Sequence, residues 1–156
     1  MKANKIVFKD FKNLFVVTKS HTSNNKLTSG NDALVQTYTF SLDQFNLVKS
    51  GVKFTMSDFF SLDKNNCLDC PYSNNSGSGE CYTHKLNQYM GFLSSLRSII
   101  KRDIEIKTLN ENTFNDIVNL CKDTFVRFGA YGEPVLMPFK LVQAMANNAI
   151  NYTGYT

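Results

Sequence analysis

The sequence contains no tryptophan and no run approaching the ~20 consecutive apolar residues that a membrane-spanning helix needs. Its opening, Met1-Lys-Ala-Asn-Lys-Ile-Val-Phe-Lys-Asp10, lacks the uninterrupted apolar segment of a secretory signal. These absences predict a protein with no membrane partner that works in the cytoplasm. In that reducing compartment, clustered cysteines point to metal or redox chemistry before disulfides. Catalytic signatures are missing too: there is no Ser-His-Asp, H-E-x-x-H or paired-carboxylate arrangement, and no dinucleotide fingerprint or P-loop. The motifs therefore leave open whether the chain is an enzyme. A strong charge of one sign is also absent, the formal net charge being +4. Dedicated nucleic-acid binders concentrate more Lys and Arg on one face, so this balance permits an anionic partner without requiring one.

What is present is globular in character, with 42% hydrophobic and 19% charged residues. A length of 156 residues suits one domain with its own core. The pattern divides into a strand-rich region over 1–62, a cysteine-rich module over 63–85, and a helical and βαβ region over 86–156. Ile6–Phe8 and Leu14–Thr18 read as a β-hairpin, and Leu34–Phe40 as a third strand. The polar stretch Ser20–Asp32 reads as a loop or arm. Ser41 caps a short helix that ends near Gly51. Leu86–Ile100 is the clearest helix, with Leu86, Tyr89, Met90, Leu93, Leu96 and Ile100 on one stripe. A second helix covers Asn112–Lys122, with Phe114, Ile117, Val118 and Cys121 on its apolar side. Phe125–Phe128 then reads as a strand, Gly129–Pro134 as a loop, Pro138–Ile150 as a helix with Leu141, Val142, Met145 and Ile150 inward, and Tyr152–Thr156 as a strand. The expected class is α/β or α+β, with a βαβ unit belonging to a partial parallel sheet or truncated barrel.

The densest chemistry is Cys67-Leu-Asp-Cys70 followed by Cys81-Tyr-Thr-His84, two soft-ligand pairs of matched spacing. Each pair places two donors on one tight turn, and together they can complete the tetrahedron of a structural Cys3His zinc site. The intervening Pro71–Glu80 has almost nothing to bury, so metal binding would also be local folding. Two alternatives stand beside zinc. One is an iron–sulfur cluster on the three thiolates, though the spacing is not a familiar ferredoxin run. The other is that the cysteines are unliganded thiols and His84 an ordinary surface residue. Two disulfides are conceivable on paper, but three clustered cysteines and a distant fourth weigh against them. Cys121, on an apolar helix face, reads as core packing.

Two further groups stand out. Arg127, Tyr131 and Glu133 offer a cation, a hydroxyl and a carboxylate near the C-terminal end of a parallel strand, where α/β proteins bind ligands. The plainer alternative is a tight connection that needs Gly129 and Gly132 for its backbone angles. Lys85, Arg97, Lys101 and Arg102 extend from the cysteine module along its helix, with Tyr82 and Tyr89 available for stacking on bases. A solvated helix face is the competing reading of that basic group.

Four motifs recur in order: C-x-x-C-P at Cys67–Pro71, G-x-x-C-Y at Gly79–Tyr82, R-x-G-x-Y-G-(D/E)-P at Arg127–Pro134, and T-G-Y-T at Thr153–Thr156. This set resembles an uncharacterised family encoded by bacteriophages and bacterial mobile elements, and the resemblance is best over the second half of the chain. Members of that family continue past T-G-Y-T, so the resemblance implies a form lacking the family's C-terminal half. It also implies a phage-type accessory protein in the cytoplasm of a bacterial host. The metal module and the basic residues of its helix point to action by binding, with nucleic acid as the leading partner class. One alternative is an iron–sulfur or metal-dependent enzyme or enzyme fragment with a barrel-like fold, and another is an inhibitor or adaptor that docks on a host or viral protein. The pattern is similar as well to three-cysteine phage proteins in which a radical-SAM-like barrel is suspected. The C-x-x-x-C-x-x-C run of radical-SAM chemistry is absent here.

Overall fold

Strand β1 (Lys5–Lys9) and strand β2 (Asn13–Thr22) are joined by a three-residue turn, as the sequence predicts. The Asp10 carboxylate holds that turn, accepting from the N–H groups of Lys12 and Asn13 at 2.7 Å each. The computed structural model describes residues 4–30, 32–72, 80–81 and 83–154. The chain divides into two compact units, one made of Met1–Lys9, Phe15–Thr39 and Ile106–Thr156, the other of Asp10–Leu14 and Phe40–Glu105.

The first unit is organised by a mixed sheet that also includes β3 (Asp32–Ser41), β4 (Ile106–Lys107), β5 (Phe125–Tyr131) and β6 (Asn151–Gly154). Among the described residues the strand order is β4-β1-β2-β3-β5-β6. The pairs β1–β4, β3–β5 and β5–β6 are parallel. Alternation along the strands turns Ile6, Phe8, Phe15, Val17, Val35, Val126 and Phe128 into one apolar cluster. Helices α5 (Glu111–Cys121) and α6 (Phe139–Asn148) contribute Ile117, Cys121, Leu141 and Met145 to the same cluster. Each such fully buried aliphatic or aromatic side chain is worth about 1.5–3 kcal/mol over leaving it in water. The expected β5–α6–β6 unit is present, with its two strands adjacent and parallel.

Several expectations are corrected here. The loop expected over Ser20–Asp32 is shorter, because β2 continues to Thr22 and β3 begins at Asp32. Strand β5 likewise continues through Gly129, Ala130 and Tyr131, which were expected to be loop. Gly129 has a positive φ of 64° and donates its N–H to Thr37 Oγ1 at 2.9 Å, while the β3–β5 register shifts between Gln36 and Tyr38. The glycine takes up the irregularity and lets pairing resume. Ile150, expected inside, is exposed just beyond the end of α6. Residues 155 and 156 of the expected last strand lie outside the described residues.

The second unit holds α1 (Leu42–Ser50), α2 (Met56–Phe60), α3 (Lys64–Cys67) and α4 (Leu86–Lys101). Ser41 and Gln44 form a reciprocal capping box at the start of α1, and Thr55 and Asp58 form another at α2. The Asp58 carboxyl is held below its ordinary range by hydrogen bonds from the Thr55 backbone and side chain. The core is aromatic. Phe59 and Phe60 meet edge to face at 5.4 Å, and Phe40, Tyr89 and Phe92 pack edge-on or tilted around them. The buried stripe of α4 is Tyr89, Phe92, Leu93, Leu96 and Ile99. Leu86, Met90 and Ile100, expected on that stripe, are exposed. The large aromatic Phe92 and its i+7 partner Ile99 rotate the buried face away from them.

Gly132 (φ 73°) has the tightest surroundings of any described glycine, for an added Cβ would stand 2.4 Å from the Thr39 carbonyl oxygen. Gly51 (φ 72°), which caps α1, has open space around it. Both positions carry the left-handed penalty of about 1–2 kcal/mol for a non-glycine residue, but only Gly132 adds a backbone clash. Gly51→Ala is expected to lower unfolding free energy by about 1 kcal/mol. Gly132→Ala should cost at least about 3 kcal/mol or fail to fold. Urea denaturation of the two variants checks the ranking, and equal losses would contradict it.

Candidate metal centre and basic helix face

The cysteine module lies wholly in the second unit, and two backbone turns shape it. Cys70 N–H donates to the Cys67 carbonyl at 3.1 Å, and His84 N–H donates to the Cys81 carbonyl at 2.9 Å. Each C-x-x-(C/H) pair therefore closes a turn with its two donors at the ends. A third bond, from Cys81 N–H to the Tyr72 carbonyl at 3.1 Å, ties the second turn to the chain leaving the first. Residues 73–79 between them lie outside the described residues.

Polar neighbours surround the sulfurs. Asn66 Nδ2 approaches Cys67 Sγ at 3.7 Å, and Thr83 Oγ1 lies 3.0 Å from Cys81 Sγ. The His84 ring rests against Phe60, centroid to centroid 4.0 Å, and its Nε2 stands 3.9 Å from Asp63 Oδ2. Asp63 is fully buried at the N-terminus of α3. Donor chemistry and backbone turns both fit a thiolate–imidazole metal site. The side chains are more open: among the described residues no three His, Cys, Asp or Glu groups converge tightly enough to hold one ion. None of the four cysteines is in a disulfide. Asp63, Asn66 and Thr83 escape a reading based on ligand spacing. The available signal was Asp63 one helical turn before Cys67, at i, i+4.

The basic residues separate into two places. Arg97, Lys101 and Arg102 line a shallow groove of about 440 Å³ on α4, together with Met90, Ser94 and Ser98. Lys85 is the residue at the N-terminus of α4, twelve positions before Arg97 and so about 18 Å away along the axis. Tyr89 is not available for stacking on bases. Its ring is buried against Phe59 and Phe60, and burial pushes its hydroxyl pKa up. Tyr82 lies outside the described residues.

In the first unit, Arg127 sits opposite Gln36 in the β3–β5 register, and Tyr38 lies opposite Tyr131. The Tyr38 hydroxyl donates to Gln36 Oε1 at 3.2 Å. Burial raises the Tyr38 pKa, and the Arg127 charge partly offsets that rise. Tyr131 is 1% exposed and packs as a core residue. Glu133 is half-buried, which raises its carboxyl pKa. Gly129 and Gly132 both have positive φ and close neighbours, so the irregularity in β5 accounts for the first and the turn beyond the strand for the second. Elsewhere in this unit Val135 and Phe139, 75% and 76% exposed, join Phe128, Met137, Val142 and Tyr152 around an apolar groove of about 380 Å³.

No family model matches the chain, and neither do any curated protein or solved structure. Among the described residues no helix is long and apolar enough to cross a membrane.

Burial separates the cysteines chemically. The Cys121 thiol is fully enclosed and pushed up to about 12, whereas Cys70 and Cys81 are partly exposed. Thiolate is the reactive form, so Cys121 should resist alkylation in the native protein at pH 8. Peptide mapping after iodoacetamide treatment of metal-free protein should find Cys70 and Cys81 modified well before Cys121. Early labelling of Cys121 would contradict its enclosure.

Proposed function

We propose that the second unit is a zinc-clipped binding module that offers the basic face of α4 to the phosphate backbone of a nucleic acid, within a phage-type accessory protein. One observation carries the reading. The two ligand turns are tied together by the Cys81–Tyr72 bond, and the second turn leads directly into α4, where Arg97, Lys101 and Arg102 share a groove. Cys67, Cys70, Cys81 and His84 would hold the metal, the cysteines as thiolates and the histidine as neutral imidazole. Zinc would supply local folding energy rather than reactivity, drawing the side chains inward on turns that the backbone already makes. Arg97 and Lys101 lie four residues apart, so their side chains project from one face and can meet successive phosphates.

A second reading, an adaptor that docks on a host or viral protein, is favoured by the apolar groove around Val135 and Phe139. Nucleic acid remains the leading partner because the basic groove adjoins the same helix as the metal module.

Two measurements test the proposal. Elemental analysis of anaerobically purified protein should find about one zinc per chain, lost when Cys67 or Cys81 is replaced by Ser. Iron with visible absorbance would move the reading to an iron–sulfur protein or metal-dependent enzyme. Binding to fluorescent single- and double-stranded oligonucleotides should weaken with salt, at a log–log slope of about −2 to −3 for three phosphate contacts. Arg97→Glu with Lys101→Glu should reduce affinity about tenfold or more and flatten that slope. Absent or salt-insensitive binding would sink the nucleic-acid reading.

A further inference from the structure

We infer that Asp63 is a positioning residue for the metal centre, orienting His84 so that Nδ1 faces the ion. The inference rests on the zinc reading above and adds a fifth functional residue to it. Three observations lead to Asp63. First, its carboxylate is fully buried and faces the imidazole, with Oδ2 3.9 Å from Nε2. Second, its carbonyl accepts the Cys67 N–H at 2.8 Å, so the same residue that seats the first ligand also faces the last. Third, the Phe60 ring lies 4.0 Å from the imidazole at an interplanar angle of 33°, which limits how His84 can turn away.

The chemistry follows from the two ring nitrogens. A neutral imidazole carries one N–H and one lone pair, and whichever nitrogen donates leaves the other to bind metal. Asp63 offers only an acceptor to Nε2, so it selects the tautomer protonated at Nε2 and leaves the Nδ1 lone pair for zinc. Metal on Nδ1 polarises the Nε2–H and strengthens its attraction to the carboxylate. The 3.9 Å separation is about 1 Å longer than a hydrogen bond, so at this distance the carboxylate acts on Nε2–H as a facing charge. Asp63 is not needed as a ligand itself, since three thiolates and one imidazole already fill a tetrahedron.

The test uses the full chain loaded with Zn²⁺ or Co²⁺. Competition against a chromophoric chelator should show Asp63→Asn weakening zinc about 10–100-fold, the range for loss of a carboxylate behind a ligating histidine. In a His84→Ala background the same Asp63→Asn change should have under twofold effect, because the residue acts only through the ring. The Co²⁺ spectrum of Asp63→Asn should keep its thiolate charge-transfer bands, showing three sulfurs still bound. Nitrogen-15 NMR of zinc-loaded wild-type protein should find His84 protonated at Nε2 and metallated at Nδ1, a readout that does not require the variant to fold. Metallation at Nε2, or an Asp63→Asn chain with unchanged zinc affinity, overturns the role of Asp63 while leaving the zinc site standing. If Cys67→Ser and Cys81→Ser leave metal content unchanged, the zinc reading itself falls.

Discussion

The parallel pairing of β3 with β5 is the constraint on which the first unit depends. It joins strands whose residues stand about ninety positions apart, with all of the second unit's longer segment, Phe40–Glu105, lying between them in sequence. Parallel strands cannot be closed by a tight turn, so such a contact forms only against the entropy of a long loop. The pairing holds because both strands supply one apolar face, Val35 beside Val126, which α5 and α6 seal. The 2.9 Å bond between Gly129 and Thr37 fixes the register where it becomes irregular. Beyond that point the chain turns at Gly132, packed so closely on Thr39 that no side chain fits. The position of Glu133 and the direction in which α6 departs both follow from this contact.

Stability in the second unit has two separate sources. Around Phe59, Phe60, Tyr89 and Phe92 there is ordinary aromatic packing, supported by two reciprocal helix caps. Around Cys67–His84 there are few apolar groups to bury, and backbone hydrogen bonds from Cys70 to Cys67, from Cys81 to Tyr72 and from His84 to Cys81 help to hold the described chain. A segment of that composition gains little from the hydrophobic effect, and its order depends on local hydrogen bonds and on its contacts with the aromatic core. His84 belongs to both regions, its ring packed on Phe60 and its backbone closing the second ligand turn. The cysteine-rich segment and the aromatic core therefore meet at the His84 side chain.

How much of this was legible depended on whether a feature was local. The hairpin, the capped helix α1, the βαβ unit and the tight turns at Cys67–Cys70 and Cys81–His84 all rest on short-range chemistry, and the sequence reading locates each. The burial face of α4 was misread because periodicity alone leaves a rotational choice, and tertiary packing selected Phe92 and Ile99 over Leu86 and Met90. The continuation of β5 through Gly129 was hidden for a similar reason. Glycine normally signals a turn, and only a partner strand carrying Thr37 makes it a bulge within a ladder. Strand β4, two residues long, has no sequence signal of its own and exists through pairing with β1. In the candidate site the two turns that carry Cys67, Cys70, Cys81 and His84 were legible from spacing, whereas the approach of the Asp63 carboxylate to the His84 ring depends on tertiary packing.

The placement of Phe40–Glu105 between β3 and β4 also imposes an order in time. During synthesis the ribosome releases β1, β2 and β3 first, then helices α1 to α4 of the second unit, and only afterwards β4, α5, β5, α6 and β6. The inserted helices can pack as soon as they emerge, because their partners are close in sequence. The first three strands must wait with both outer edges, on β1 and β3, unpaired and an apolar face of Ile6, Phe8, Phe15, Val17 and Val35 uncovered. Their cover arrives with the last fifty or so residues of the chain, in α5 and α6. Strands made before the inserted helices are thus protected after them, and a pause in translation before α5 would leave a sticky nascent sheet alongside already folded helices.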